Sequence, residues 1–156
     1  MSKQDYGTPA WIIEELGPFD LDVAASPENA KAPKYYTEAQ DGLTQLWRED
    51  RVWCNPPYKN IMPWVKRVST DLLTFEFIEL FLLVPATPST AWFKKAYDLC
   101  TGLWFADHRL KFDGGASTAR QDHCIFYFNP EGIGEKTVFI GENLTVFKEE
   151  FIWNYR

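Results

Sequence analysis

The chain has 156 residues, 46% of them hydrophobic and 17% aromatic, with a net charge of −6. That length suits a single domain spanning residues 1–156, and the apolar content excludes a disordered tail. The longest apolar run, residues 77–86, contains Glu79 and is too short to cross a bilayer, so no membrane partner is expected. Met1-Ser2-Lys3-Gln4-Asp5 does not resemble a secretory signal, and Cys54, Cys100 and Cys124 stand at wide spacing without a CxxC pair. A cytoplasmic setting and no metal site are therefore expected.

In chain order, Thr8-Pro9 reads as an N-cap and first-turn pair opening a short helix with Trp11, Ile12, Ile13 and Leu16, ended by Gly17-Pro18. Residues 19–25 read as a strand with acids, Asp20 and Asp22, near its end. Residues 26–50 are polar and read as a long functional loop with helical turns. Arg51-Val52-Trp53-Cys54 is a short buried-type strand running into Asn55-Pro56-Pro57-Tyr58. Pro63 starts a helix that places Trp64, Val65, Val68 and Leu72 on one side. Residues 77–84 are apolar on both faces, as in a central parallel strand. Thr87-Pro88 opens a third helix with Trp92, Phe93, Ala96 and Tyr97 inward. Residues 103–105 and 123–128 are two further strands joined by a loop around Gly114-Gly115. Residues 137–140 and 144–147 flank Gly141-Glu142-Asn143 and predict a terminal hairpin. The alternation predicts an α/β sheet, mostly parallel with antiparallel strands late, whose ligands bind beyond the strands' carboxyl ends.

Asn55-Pro56-Pro57-Tyr58 suits a specific chemistry. An exocyclic amine is a poor nucleophile because its lone pair is delocalised into the ring. Accepting hydrogen bonds from both its N–H groups draws the nitrogen towards tetrahedral geometry. The Asn55 side-chain oxygen and the Pro56 carbonyl can do this together. Pro56 and Pro57 stiffen the turn, and Tyr58 offers a flat ring for a flipped-out base. The plain reading of the same four residues is a strand-ending turn with a surface aromatic.

The acidic total argues against strong phosphate binding, yet Arg109, Lys111 and Arg120 surround the glycine loop, and Lys59, Lys66 and Arg67 follow the Asn55 turn. This predicts a locally basic face with salt-sensitive binding, with Lys59, Arg109, Lys111 and Arg120 as phosphate contacts. An ordinary solvated strand edge is the alternative for Arg109 and Lys111. His108, His123 and the cysteines read as structural, and Asp41 reads equally as a turn cap beside Gly42.

At this point the chain resembles the phage-type DNA N6-adenine methyltransferases (Dam-like), over about residues 8–128. The likeness rests on Thr8-Pro9, the run Leu21-Asp22-Val23-Ala24-Ala25-Ser26-Pro27-Glu28-Asn29-Ala30-Lys31, Tyr35-Tyr36-Thr37, and Asp41-Gly42-Leu43 with Trp47. Further along it rests on Trp53-Cys54-Asn55-Pro56-Pro57-Tyr58, Pro63-Trp64, Leu83-Val84-Pro85-Ala86, Trp92-Phe93 and Arg109-Leu110-Lys111-Phe112. The resemblance implies a compact Rossmann-like methyltransferase sheet using S-adenosyl-L-methionine on adenine N6 in DNA, acting in the host cytoplasm if phage-encoded. It implies that Thr8 and Pro9 touch the cofactor's methionine part and that Asp22 meets its amino group or a bound water. By the same likeness, Ala24 lies in the cofactor turn, Asp41 meets the cofactor's adenine amine, and Asn55 to Tyr58 form the catalytic motif.

The chain departs from the wider methyltransferase pattern in its first turn, Ala24-Ala25-Ser26, which lacks glycine. The short span from Asp22 to Asp41 implies a missing or shortened second strand, and no separate target-recognition domain fits. Two other acceptors suit the same turn, RNA adenine and a protein glutamine, and a non-catalytic DNA-binding module that kept the fold is a third alternative. The sequence leaves the oligomeric state open.

Overall fold

The structure, a computed structural model, describes residues 7–112 and 117–151. Helix α1 (Ala10–Leu16) buries Ile12 and Leu16, one helical turn apart. Pro9, not Thr8, is its N-cap residue; no side chain caps the helix, and Thr8 turns towards the Asn55 side chain instead. Strand β1 (Leu21–Ala25) follows, and Asp22 is its second residue rather than near its end.

The polar stretch expected to be a loop holds a further strand, β2 (Lys34–Thr37), parallel to β1 and largely exposed. Its exposure explains why it carries no apolar alternation for a sequence reading to find. Two 3-10 turns, Glu38–Gln40 and Gly42–Thr44, return the chain to β3 (Arg51–Cys54). Gly42 is required there, because a Cβ at this position would stand 1.9 Å from the Val23 carbonyl oxygen.

Helix α2 (Met62–Leu73) buries Trp64, Val65, Val68 and Leu72, as their spacing predicts. Strand β4 (Glu79–Pro85) is buried at every position. Helix α3 (Ala91–Leu99) begins after a turn at Thr87–Thr90, three residues later than Thr87-Pro88 suggested. It buries Phe93 and Ala96, leaving Trp92 and Tyr97 half-buried.

Strand β5 (Gly102–Ala106) leads to a small antiparallel hairpin of β6 (Lys111–Phe112) and β7 (Ser117–Thr118). Gly114-Gly115 lies outside the described residues. Strand β8 (His123–Phe128) is again buried throughout. Strand β9 (Thr137–Gly141) is parallel to β5, and helix α4 (Thr145–Phe151) follows. The predicted terminal hairpin is thus replaced by a strand and a helix. Leu144, Phe147 and Phe151 recur at helical spacing, and the Asn143 side chain accepts from the Thr145 N–H at 3.1 Å, which starts the helix.

The seven longer strands form one sheet in the order β2-β1-β3-β4-β8-β5-β9, with β8 antiparallel to both its neighbours. Side chains alternate between two cores. Leu80, Leu82, Val84, Phe126 and Phe128 pack with α2 and α3 on one face; Phe81, Leu83, Ile125 and Tyr127 pack with α1 and α4 on the other. The chain leaves β1 for β2 on one side and returns to β3 on the other. That reversal opens a crevice beyond the carboxyl ends of β1 and β3, where Asn55 emerges.

At the opposite end of the sheet, Arg51 Nε donates to Glu79 Oε2 at 2.6 Å, and Tyr127 Oη donates to Glu79 Oε1 at 2.7 Å. Asn129 Nδ2 donates to Tyr127 Oη at 3.3 Å, and Arg51 also bonds the Leu16 and Pro18 carbonyls. Among the described residues no helix is long and apolar enough to cross a membrane.

Candidate active site

The crevice is lined by Gly7, Thr8, Asp22, Ala24, Ala25 and Ser26, with Asn29, Lys31, Trp53 and Asn55 completing its wall. Thr8, Asp22, Ala24 and Asn55, singled out from sequence, therefore meet in one place. Pro9 is buried beside Thr8 as the helix cap.

Asp22 is 2% exposed and lies opposite Trp53 of β3. Its carboxylate accepts from the Lys31 N–H at 3.0 Å and the Ala24 N–H at 3.3 Å. Burial pushes its pKa up to about 6, against the pull of those two N–H groups and the Lys31 charge. The Lys31 ammonium is in turn pushed down by partial burial and held up by Asp22. Ser26 is 7% exposed, and its hydroxyl has no hydrogen-bond partner among the described residues. Taken singly, Lys31, Asn29 and Ser26 have no motif of their own in the sequence. The signal was present in the run from Ser26 to Lys31, which belongs to the family likeness.

Asn55 follows the last residue of β3 directly and is itself buried. Its Nδ2 donates to Thr8 Oγ1 at 3.4 Å, while its Oδ1 accepts from the Tyr58 hydroxyl at 2.7 Å. Thr8 thus fixes the amide so that the oxygen faces Tyr58. Tyr58 is half-buried, with burial raising its phenol above the ordinary value. Pro56 is buried and Pro57 exposed, so the turn projects Pro57 and Lys59 outward.

Asp41 sits on the same side of the sheet, in the left-handed region at φ 55°, with its Oδ1 accepting from the Leu43 N–H at 3.2 Å. It caps a turn, as the Asp-Gly pair suggested, and its side chain is exposed. The turn is clamped in place. Arg67 donates to the Leu43 carbonyl at 2.8 Å and to the Gln45 carbonyl at 2.5 Å, pairs with Asp71, and stacks on Trp47 at 4.6 Å. Arg67 is accordingly a structural cation, not part of the basic face to which its position in sequence assigned it.

Lys59, Arg109, Lys111 and Arg120 are all exposed. Lys111 lies on β6, next to Phe112, whose ring stands 5.1 Å from His123; His123 in turn stands 5.7 Å from Tyr58. This row of rings ties the basic hairpin to the Asn55 turn. Residues distant in sequence are joined here through β8.

A family model described as DNA N-6-adenine-methyltransferase (Dam) matches residues 2–127. The DNA N-6-adenine-methyltransferase of Escherichia phage T1 is 36% identical over 133 residues, which is 81% of this chain and 55% of that protein. The protein of the same name from Haemophilus phage HP1 (strain HP1c1) is 34% identical over 104 residues, covering 63% of this chain and 57% of its own length. The chain spans a little over half the length of these relatives. With the family pattern matched over most of its length, the chain belongs to the Dam family of DNA N-6-adenine-methyltransferases.

Proposed function

We propose that the chain transfers a methyl group from S-adenosyl-L-methionine to N6 of an adenine flipped out of DNA. One observation carries this reading: the Asn55–Tyr58 turn opens onto the crevice that gathers Thr8, Asp22, Ser26 and Lys31. That crevice fits an amino-acid group. A buried carboxylate suits an α-ammonium, and the Lys31 ammonium with the Ser26 hydroxyl, which no described residue meets, suits an α-carboxylate. When bound, S-adenosyl-L-methionine supplies an electrophilic methyl group on a sulfonium.

The protein's own part is to position and polarise. Asn55 Oδ1 accepts from one N–H of the adenine amine and the Pro56 carbonyl from the other, which localises the nitrogen lone pair for attack. The Tyr58 hydroxyl, which holds Asn55 Oδ1 in this structure, gives way to the amine, and the Tyr58 ring stacks on the base. Thr8 keeps the Asn55 amide from turning over. The methylated nitrogen is acidic, so its proton leaves without a dedicated base. Flipping the base costs a few kcal/mol, which stacking and these hydrogen bonds offset.

Asp41, at the edge of its clamped turn, serves the adenine end of the cofactor, while Lys59, Arg109, Lys111 and Arg120 contact phosphate. The sheet is Rossmann-like with a shortened second strand, and the β6–β7 hairpin supplies contacts to the DNA around the target base. DNA is favoured over RNA or protein by the names of both phage relatives.

The test is incorporation of labelled methyl into DNA, RNA and protein, comparing the wild type with Asn55→Ala. Transfer to DNA should drop by about 10²–10³-fold in the variant with its thermal unfolding preserved. Undiminished transfer would remove Asn55 from the mechanism.

A further inference from the structure

The sheet ends on β2 at one side and on β9 at the other, and the two edges differ. The β2 edge is guarded: Pro33 precedes it, Lys34 opens it, and its pairing with β1 is irregular between Asp22 and Ala25. β9 carries no charge and no proline, and its register with β5 is unbroken. The Thr137 N–H donates to the Thr101 carbonyl, and the Asp107 N–H to the Gly141 carbonyl, both at 3.1 Å. Successive residues of a strand turn their N–H and C=O to opposite sides, so residues 137, 139 and 141 address β5. Val138 and Ile140 turn theirs outward, where no described strand meets them.

The same two residues leave their side chains uncovered. Val138 lies beside Leu103 and Ile140 beside Phe105, on the face that packs α2 and α3. Leu103 is fully buried there, yet Val138 is 43% exposed and Ile140 74%. Outward N–H and C=O groups beside an apolar face make a template for another strand. β9 itself fits that template. In an antiparallel pair, residues with outward groups must oppose one another. Centring the pair on Phe139 sets Val138 opposite Ile140 of the second copy and Lys136, which precedes β9, opposite the Glu142 that follows it. Centring on Val138 would set Lys136 against Ile140, and centring on Ile140 would set Glu142 against Val138. Charge therefore selects the Phe139 register. Lys136 already stands on the α3 face, its Nζ 4.9 Å from the centre of the Tyr97 ring.

We propose that β9 pairs antiparallel with β9 of a second copy of this chain, about a twofold axis through Phe139, so that one sheet runs across both chains. Val138 and Ile140 exchange backbone hydrogen bonds with their opposites, their side chains form one apolar cluster beside α3, and a Lys136–Glu142 ion pair closes each end. The axis stands perpendicular to the sheet. The crevices of the two copies therefore open in opposite directions, and neither copy covers the other's Asn55 turn. The pairing does not depend on the methyl-transfer reading. A short ladder with one apolar cluster belongs among small interfaces, so the dimer comes apart on dilution.

Analytical ultracentrifugation of the full chain, from low to high micromolar concentration, reads the association, and thermal unfolding checks the fold of each variant. Wild type should pass from monomer to dimer as concentration rises. Lys136→Glu and Glu142→Lys each set like charges opposite one another at both ends of the ladder. Either should raise the dissociation constant by about 10-fold, and the two combined should restore it. Ile140→Lys should leave a monomer that unfolds like wild type. Disulfide formation reads the register, since opposed residues with outward groups stand about 5.5 Å apart at Cα. A mixture of Val138→Cys and Ile140→Cys chains should cross-link under oxidised glutathione, whereas each alone should not. A monomer at every concentration, a dimer indifferent to Ile140→Lys, failure of the combined charge reversal to restore association, or cross-linking of one cysteine chain with itself as readily as in the mixture would overturn the pairing.

Discussion

Asp22 shows how a buried carboxylate can weigh on the fold. Its carboxyl titrates near 6 in the folded chain against 3.8 ordinarily, because burial disfavours the charged form. The folded-state value is raised, so its contribution to stability is fully present below pH 3.8 and is lost as pH rises through 6. Asp22→Asn should abolish this dependence. The stability of wild type relative to the variant, from urea unfolding, should improve by up to about 3 kcal/mol between pH 7.5 and pH 4. A difference independent of pH would show that Asp22 is not the titrating group. At this scale the sequence was legible where a turn is spelled by contiguous letters, as at Asn55-Pro56-Pro57-Tyr58 directly after β3. It was not legible where a contact spans the chain: the Thr8–Asn55 bond joins residues 47 apart.

Among the elements, the β6–β7 hairpin carries the test of the proposed DNA contacts. Removing Arg109, Lys111 and Arg120 together should weaken DNA binding and flatten its salt dependence. Each lost phosphate contact should reduce the slope of log affinity against log salt by about 0.9 on duplex DNA. Titrations at several salt concentrations measure this, and an unchanged slope would place the phosphates elsewhere. Elements with a strong apolar period were readable in advance, α2 and β4 above all. Exposed β2 has no such period. Residues 144–151 misled because Gly141-Glu142-Asn143 reads as a hairpin turn, whereas Leu144, Phe147 and Phe151 bury a helical stripe against Tyr127 and Phe139.

For the whole molecule, an α/β sheet was legible from the alternation of strands and helices. The strand order was not, because pairing between distant segments depends on registers that local patterns do not encode. The Arg51–Glu79–Tyr127 network stitches β3, β4 and β8 at the end away from the crevice. Glu79→Gln takes the carboxylate from the half-buried Arg51 and should cost about 2 kcal/mol in denaturant unfolding, while the Asn55 side of the sheet keeps its geometry. A change below about 1 kcal/mol would mean that the arginine is satisfied by the Leu16 and Pro18 carbonyls alone. The insertion of β8 between β4 and β5 also governs how the chain is made. As synthesis proceeds from the amino terminus, β4 forms one ladder with β3 and then waits for some forty residues with its other edge bare. That edge belongs to Leu80, Phe81, Leu82, Leu83 and Val84, a wholly apolar stretch able to pair with another nascent chain. The central seam of the sheet closes only when residues 123–128 emerge, so the interval of translation between β4 and β8 is when this protein is most exposed to aggregation.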